Sequence, residues 1–264
     1  MEFIEALILG AIQGVTEWLP ISSQGVSSIV MVDLFGRSLA DALFISGWLH
    51  IGTLFAAALY FRQDLTGIAR NLPRYVRKPG SMEGYSGLTA FLLAATAVSG
   101  AVAAPLVIFG IDAIDFSGEK AVAFVGALLV ITGLLQVFVN SSRTLVHSAR
   151  LPDAVLAGIV QGLSVLPGLS RSGLTTTVLL LRKHDPEYAM KLSFLMSIPA
   201  VAALECYLLI AQKAEFGLNA VMAILVAFAL GLLTIRSLMA AARRINFGYF
   251  CIFLGGLALL AFLI

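Results

Sequence analysis

The chain has 264 residues, 59% of them hydrophobic and only 12% charged, and its mean hydropathy of +0.97 lies far outside the soluble globular range. These values exclude an ordinary water-soluble domain and define a polytopic membrane protein, expected to be all-α and to form one integral membrane domain over residues 1–264. A net charge of +2 is too small a footprint for a nucleic-acid partner.

The chain opens on MEFIEALILG. Glu2 and Glu5 stand where a secretory signal would carry basic residues, and no small-residue cleavage pattern follows, so the stretch reads as a mature segment. The first apolar segment, Glu2–Leu34, is interrupted near its centre by proline, glycine and serine, and neither half is long enough to cross a bilayer alone. Spanning helices are predicted next at Asp41–Phe61, Leu88–Gly110 and Glu119–Asn140, each near the ~20 residues a bilayer core requires. A second interrupted segment occupies Pro152–Leu181. Three more spans follow at Tyr188–Ala211, Leu218–Ala240 and Phe247–Ile264.

The loops orient these spans. Basic residues gather in four of them: Arg62, Arg70, Arg74, Arg77 and Lys78; Arg143 and Arg150; Arg182, Lys183 and Lys191; and Arg236, Arg243 and Arg244. These are expected on the cytoplasmic side. The remaining loops carry only Arg37, Lys120 and Lys213 against Asp112, Asp115, Glu119 and Glu215, and are expected outside. Both flanks of Pro152–Leu181 are basic, so a straight crossing there would break the alternation. Both interrupted segments are therefore expected to be re-entrant hairpins, the first dipping in from outside and the second from the cytoplasm, with both termini outside. Non-helical backbone at membrane depth survives only when buried in protein or lining a wet cavity, so each tip marks a polar pocket.

A shift of 148 positions lays QGVTEWLPISSQGVSS (Gln13–Ser28) over QGLSVLPGLSRSGLTT (Gln161–Thr176) without a gap. Gln13, Gly14, Ser22 and Gly25 fall on Gln161, Gly162, Ser170 and Gly173, and the hydroxyl pattern is also kept. The expected architecture is an inverted-topology repeat, residues 1–140 and 152–264, each one hairpin plus three spanning helices, with the tips meeting near the midplane.

The chemistry-bearing residues lie at those tips. An arginine in the bilayer costs several kcal/mol unless it faces a wet cavity or an anion, so Arg171 is expected to hold something negative; the alternative is a structural pair with a buried Glu17. Gly168 and Gly173 would let backbone amides approach a ligand, while Ser170, Ser172 and Thr175 add hydroxyl donors, together a phosphate-type cradle. On the first tip, Glu17 lies one helical turn after Gln13, so both point the same way. A carboxylate and an amide oxygen suit a hard divalent cation or a general base, and equally a structural partner. Ser22 and Ser23 follow Pro20, where a helix N-cap is the commoner role and a nucleophile the alternative. His50, in WLHIGTLF, is a core histidine or an acid–base group. Glu205 is intramembrane and carries no assigned role. His147 and His184, in or beside basic loops, read as surface residues. Cys206 and Cys251 lie in separate apolar runs without metal-type spacing.

The pair QGVTEWLPISSQG and LPGLSRSGLT resembles the two signature motifs of the undecaprenyl-diphosphate phosphatase family, also called bacitracin-resistance proteins, and the resemblance covers essentially the whole chain, including SFLMSIPA (Ser193–Ala200). It implies an enzyme of the cell membrane that removes the terminal phosphate from a polyprenyl diphosphate, recycling the lipid carrier of envelope glycan synthesis. The site would face outward and depend on a divalent cation, Mg2+ or Ca2+. By position, Gln13 and Glu17 match the family's acidic motif and metal ligands, Ser22 and Ser23 its serine pair with the second a proposed nucleophile, and Ser170, Arg171, Ser172 and Thr175 its phosphate-holding motif, with Gln161, Gly168 and Gly173 grouped beside them. One position departs: the family commonly has histidine after the glycine of SSxGH, and here Val26 stands there. Either His50 takes that part, or a serine with Glu17 suffices, or the chain has lost hydrolysis. A homodimer is a further expectation. A second reading from the same pocket is a transporter of polyprenyl phosphate, because broken helices in inverted repeats are also the plan of secondary transporters.

Overall fold

The computed structural model describes residues 1–77, 84–110, 119–138, 146–211, 217–242 and 246–263. Lys78, Asp112, Asp115, Arg143, Lys213, Glu215, Arg243 and Arg244, used above to orient the loops, lie outside the described residues, as do the predicted span ends Asn140 and Ile264. Eleven α-helices account for almost all of the described chain: α1 (Phe3–Thr16), α2 (Ser23–Asp33), α3 (Leu39–Tyr60), α4 (Arg62–Arg77), α5 (Gly84–Pro105, continued by a π-helical turn, Leu106–Gly110), α6 (Glu119–Val137), α7 (Leu151–Leu163), α8 (Arg171–Leu181), α9 (Pro186–Ala211), α10 (Leu218–Ala242) and α11 (Gly248–Leu263). No strand occurs among the described residues, only an isolated bridge between Val146 and His184.

Among the described residues, four helices are long and apolar enough to cross a membrane, over Leu39–Tyr60, Gly84–Phe109, Pro186–Tyr207 and Leu218–Ala241. The other two predicted spans form as the shorter apolar stretches Val122–Val137 and Gly248–Leu260. Both interrupted segments are broken into helix pairs, α1–α2 and α7–α8, of 14, 11, 13 and 11 residues. At about 1.5 Å per residue, none reaches the ~30 Å of a hydrocarbon core.

The breaks have local causes. Thr16 bonds back to the Ile12 carbonyl at 2.6 Å, and Pro20 allows no continuation of α1. Ser22 then caps α2 by accepting from the Gly25 amide at 3.0 Å, and Ser170 caps α8 by accepting from the Gly173 amide at 3.1 Å. Gly168 has a φ of +98°, a conformation open to glycine at little cost.

Small residues let the helices approach. A Cβ on Gly10 or Gly14 would stand 2.5 or 2.8 Å from the Ala223 or Ala227 carbonyl of α10, and one on Gly158 or Gly162 would stand 2.8 Å from the Ala95 or Ser99 carbonyl of α5. Thus α1 packs on α10 as α7 packs on α5, while α6 pairs with α11 and α3 contacts α9. The tips also meet: Gly25 abuts Gly168, and Gly173 abuts Pro20. The hairpins are tied at their mouths by ion pairs. Glu5 of α1 accepts from Arg37 at 2.9 Å, and Asp153 of α7, fully buried, accepts from Arg182 at 2.6 Å and pairs with His184 at 2.8 Å.

Two sequence expectations are corrected here. His184 is not a surface residue: it is 1% exposed, drawn inward by Asp153 and stacked on Tyr188. The first basic loop is largely a helix, α4, whose Leu65, Ile68, Leu72 and Val76 keep a helical period that Pro73 and the arginines obscure.

Candidate active site

Glu17 is the last residue of the first hairpin's rising arm, capping α1 through a backbone bond from its N–H to the Gln13 carbonyl. Its neighbour Trp18, 1% exposed, fixes it in place: the indole N–H donates to the Gly231 carbonyl at 2.9 Å, and the ring meets Phe194 edge-on. Glu17 is 6% exposed, and its carboxylate is surrounded by donors. Gln13 Nε2 and Ser23 Oγ each donate to its Oε2 at 2.9 Å, His50 Nε2 stands 3.5 Å from the same oxygen, and Arg171 Nη2 donates to Oε1. A buried carboxylate is tolerated when so compensated.

The serine pair divides its work. Ser22 Oγ is taken up by the α2 cap, whereas the Ser23 hydroxyl donates to Glu17, the geometry of a nucleophile beside a base. His50 has its Nδ1 2.8 Å from the Ser46 carbonyl and 3.1 Å from the Gly47 carbonyl. Both partners are acceptors, which assigns the ring hydrogen to Nδ1 and turns Nε2 toward Glu17. Val26 does not line the cavity; its amide serves the α2 ladder to Ser22.

Arg171 opens α8. With α2 and α8 both starting at the tips, two helix N-termini add partial positive charge where the cavity lies. One guanidinium nitrogen, Nη2, meets Glu17 while Nη1 is buried without a hydrogen-bond partner among the described residues. A cavity of about 40 Å³ opens here, lined by Glu17, Ser22, Ser23, His50, Arg171 and Ser172 among others, with room for roughly three water-sized groups. A smaller one, lined by Thr53, Ala57, Ser197 and Ile198, reaches the far side of the same Glu17, His50 and Arg171.

Not every residue of the second motif faces this cavity. Ser172 lines it and donates to the Leu19 carbonyl at 2.9 Å, whereas Ser170 is the α8 cap. Thr175, fully buried, donates to the Arg171 carbonyl at 2.7 Å and meets Ser193 at 2.6 Å. Gln161 donates to Ser99 and the Met196 carbonyl at 3.2 and 3.3 Å. Gly168 lies against α6 and Gly173 against Pro20 and Gln136. Glu205 is buried away from the cavity lining, and neither of its oxygens has a hydrogen-bond partner among the described residues.

Three residues escaped the sequence reading. Thr53 accepts from Gln13 Nε2 at 3.3 Å and donates to the His50 carbonyl at 3.2 Å. On α6, Thr132 Oγ1 accepts from the Ser170 amide at 3.2 Å and donates to the Gly168 carbonyl at 3.3 Å. One turn on, Gln136 donates to the Pro20 carbonyl at 2.6 Å. A single helix therefore holds both tips. The only sequence signal was two polar residues at i and i+4 in an apolar span.

For a divalent cation, the fitting donors are Glu17 and the Gln13 amide oxygen. Gln13 Oε1 is buried without a partner among the described residues, and turning the amide over would bring it, in place of Nε2, to the Glu17 carboxylate. No group of three or more His, Cys, Asp or Glu gathers among the described residues. One carboxylate and one amide oxygen suit an ion that draws the rest of its shell from water and phosphate oxygens, as Mg2+ does.

A multi-pass helical protein with a buried carboxylate, a serine and an arginine converging from two broken helices is thus a membrane protein built around a polar site. Comparison with known proteins is specific. Residues 6–260 match the family described as "Bacitracin resistance protein BacA". A protein of Methanococcoides burtonii named undecaprenyl-diphosphatase is 44% identical over 256 residues, covering 97% of each chain. Proteins of the same name from Haloarcula marismortui and Syntrophotalea carbinolica are 37% and 34% identical, covering 96% and 97% of this chain and 94% and 98% of theirs. The chain belongs to the bacitracin resistance protein BacA family.

Proposed function

We propose that this chain hydrolyses a polyprenyl diphosphate of the undecaprenyl type to the monophosphate and inorganic phosphate, recycling the lipid carrier of envelope glycan synthesis. The carrying observation is that Glu17 accepts from Ser23 and from Arg171 at once, joining a base, a hydroxyl and a phosphate-type cation beside an open cavity; the names of the relatives agree.

In this reading the terminal phosphate enters the cavity, where the unpartnered Nη1 of Arg171 and the helix N-termini of α2 and α8 receive its oxygens. Ser23 attacks the distal phosphorus as Glu17 takes its proton. The bond to the bridging oxygen breaks, its electron pair leaves with the polyprenyl monophosphate, and Arg171 offsets the growing charge. As water attacks phosphorus, Glu17 returns its proton to the departing Ser23 oxygen, the water's proton goes to His50 Nε2 or to the freed Glu17, and phosphate departs. Gln13 and Glu17 would hold a Mg2+ or Ca2+ ion, which when bound supplies further charge neutralisation to the phosphate oxygens.

The fold reading that goes with this is an inverted repeat, residues 1–140 and 152–264. Its support is the equality of α2 (Ser23–Asp33) and α8 (Arg171–Leu181) under the 148-residue shift, and the reciprocal tip contacts Gly25 to Gly168 and Gly173 to Pro20. The second pair is the first with both residues exchanged by that shift, as a two-fold axis requires. In this reading both termini lie outside, on the basis of loop charge, while the plasma membrane and an outward-opening cavity are what the resemblance to the family implies.

The test is phosphate release from a polyprenyl diphosphate by the purified protein, with Mg2+, with Ca2+ and with a chelator. Metal-dependent release is expected; no release under any metal overturns the reading.

A further inference from the structure

The helix α4 has three distinct faces. One is anchored: Asp64 pairs with Lys191 of α9 at 2.7 Å, Gly67 lies on the ring of Tyr85, and Asn71 donates to Ser86 at 3.2 Å. Leu65 and Ile68 pack against the main core. The anchors Tyr85 and Ser86 belong to the first turn of α5, and Lys191 to the second turn of α9, so α4 lies level with the ends of membrane-spanning helices.

A second face continues the apolar line past the protein. Leu72 and Val76 follow Leu65 at helical spacing, yet they are 41% and 69% exposed. The third face is basic: at about 100° per residue, Arg70, Arg74 and Arg77 fall together opposite Leu65 and Leu72, and all three are exposed. No ion pair of these three occurs among the described residues.

We propose that α4 is an in-plane interfacial helix whose basic face binds the phosphate headgroups of anionic membrane lipids. The occupant is set by charge and position together. A helix at the level of the span ends, with its uncovered apolar edge continuous with the protein core, meets the boundary between headgroups and acyl chains of the bilayer that α3 and α5 cross. The three guanidiniums stand on the face opposite that edge, and their long side chains reach round the helix to the lipid phosphates, to which arginine bonds in a forked manner. Each basic residue near an anionic surface contributes about 1 kcal/mol, or roughly five-fold in binding. The inference is independent of the hydrolytic reading, since none of these residues touches the Glu17 cavity.

The test uses the full chain in phosphatidylcholine bilayers containing spin-labelled phosphatidylglycerol or spin-labelled phosphatidylcholine, and reads how strongly each associates with the protein. A preference for phosphatidylglycerol that falls by at least about five-fold in Arg70→Gln/Arg74→Gln/Arg77→Gln, and that weakens with added salt in the parent, is expected. An equal preference in parent and variant overturns the proposal. A second measurement covers misfolding of the variant: a fluorophore on Val76→Cys, in a Cys206→Ser background, should be quenched by lipid-borne quenchers placed near the headgroups. Quenching by aqueous iodide alone places that edge in water and also overturns it.

Discussion

Arg171 and Glu17, 154 residues apart in the chain, are joined by a hydrogen bond from the guanidinium Nη2 to the carboxylate Oε1 at the meeting of the two hairpin tips. The pair explains how each tolerates burial, and it sets the first test. Removing one partner leaves an uncompensated buried charge, at a cost of about 3–5 kcal/mol. Arg171→Ala should lose both thermal stability and phosphate release. The double variant Glu17→Gln/Arg171→Gln should recover much of the stability and none of the turnover. Arg171→Lys keeps the charge but loses the second nitrogen that Nη1 offers, and should recover little rate. Full turnover in Arg171→Ala would return the arginine to a purely structural role.

His50 offers Nε2 to Glu17, while Val26 lies off the cavity lining. If His50 handles the proton, His50→Ala should lower the maximal rate by roughly 10²–10⁴-fold with little change in lipid affinity. Adding Val26→His to that variant should restore part of the rate. A fully active His50→Ala would leave proton transfer to Ser23 and Glu17.

Thr132 and Gln136 act through the tips they hold. Gln136→Ala leaves the Pro20 carbonyl only the weak Cys251 thiol donor at 3.7 Å and should lower the maximal rate about ten-fold while substrate affinity changes little, the size of one lost buried hydrogen bond. Gln136→Glu keeps the length but removes the donor, and should not rescue. Gln136→His, which retains a donor, should do so in part. If all three variants lose only thermal stability, α6 braces the fold and not the site.

The tip contacts predict a contrast between glycines. Gly168→Ala would set a Cβ 2.5 Å from the Val125 carbonyl at a φ of +98°, and should abolish both stability and activity. Gly100→Ala, on α5 with open space around it, should stabilise the protein by about 1 kcal/mol in denaturant titrations. Equal effects at the two sites would refute the tip packing.

The inverted repeat predicts sidedness. In a Cys206→Ser background, with Cys251 buried, Ala40→Cys should react only with impermeant reagent added outside cells, and Ser148→Cys only from the cytoplasmic side. Reaction of both from one side would refute the inversion.

Much of this protein is written locally along the chain. Excess apolar residues select the bilayer as solvent, Pro20 and Gly168 with their flanking serines break two helices too short to cross, and a fixed 148-residue shift exposes the matching of the two halves. The membrane helices and the motif residues Glu17, Ser23 and Arg171 were legible for that reason: each depends on neighbours within a few turns, or on the chemistry of a charge that lipid will not accept. Partnerships across the fold were not legible. Which serine caps and which meets the acid, the turn of His50 Nε2 toward Glu17, the inward pull of Asp153 on His184 and the hold of Thr132 and Gln136 on both tips depend on helices far apart in sequence. A hydroxyl or amide in an apolar span has a cost that some partner must offset, but only packing decides which partner is within 3 Å.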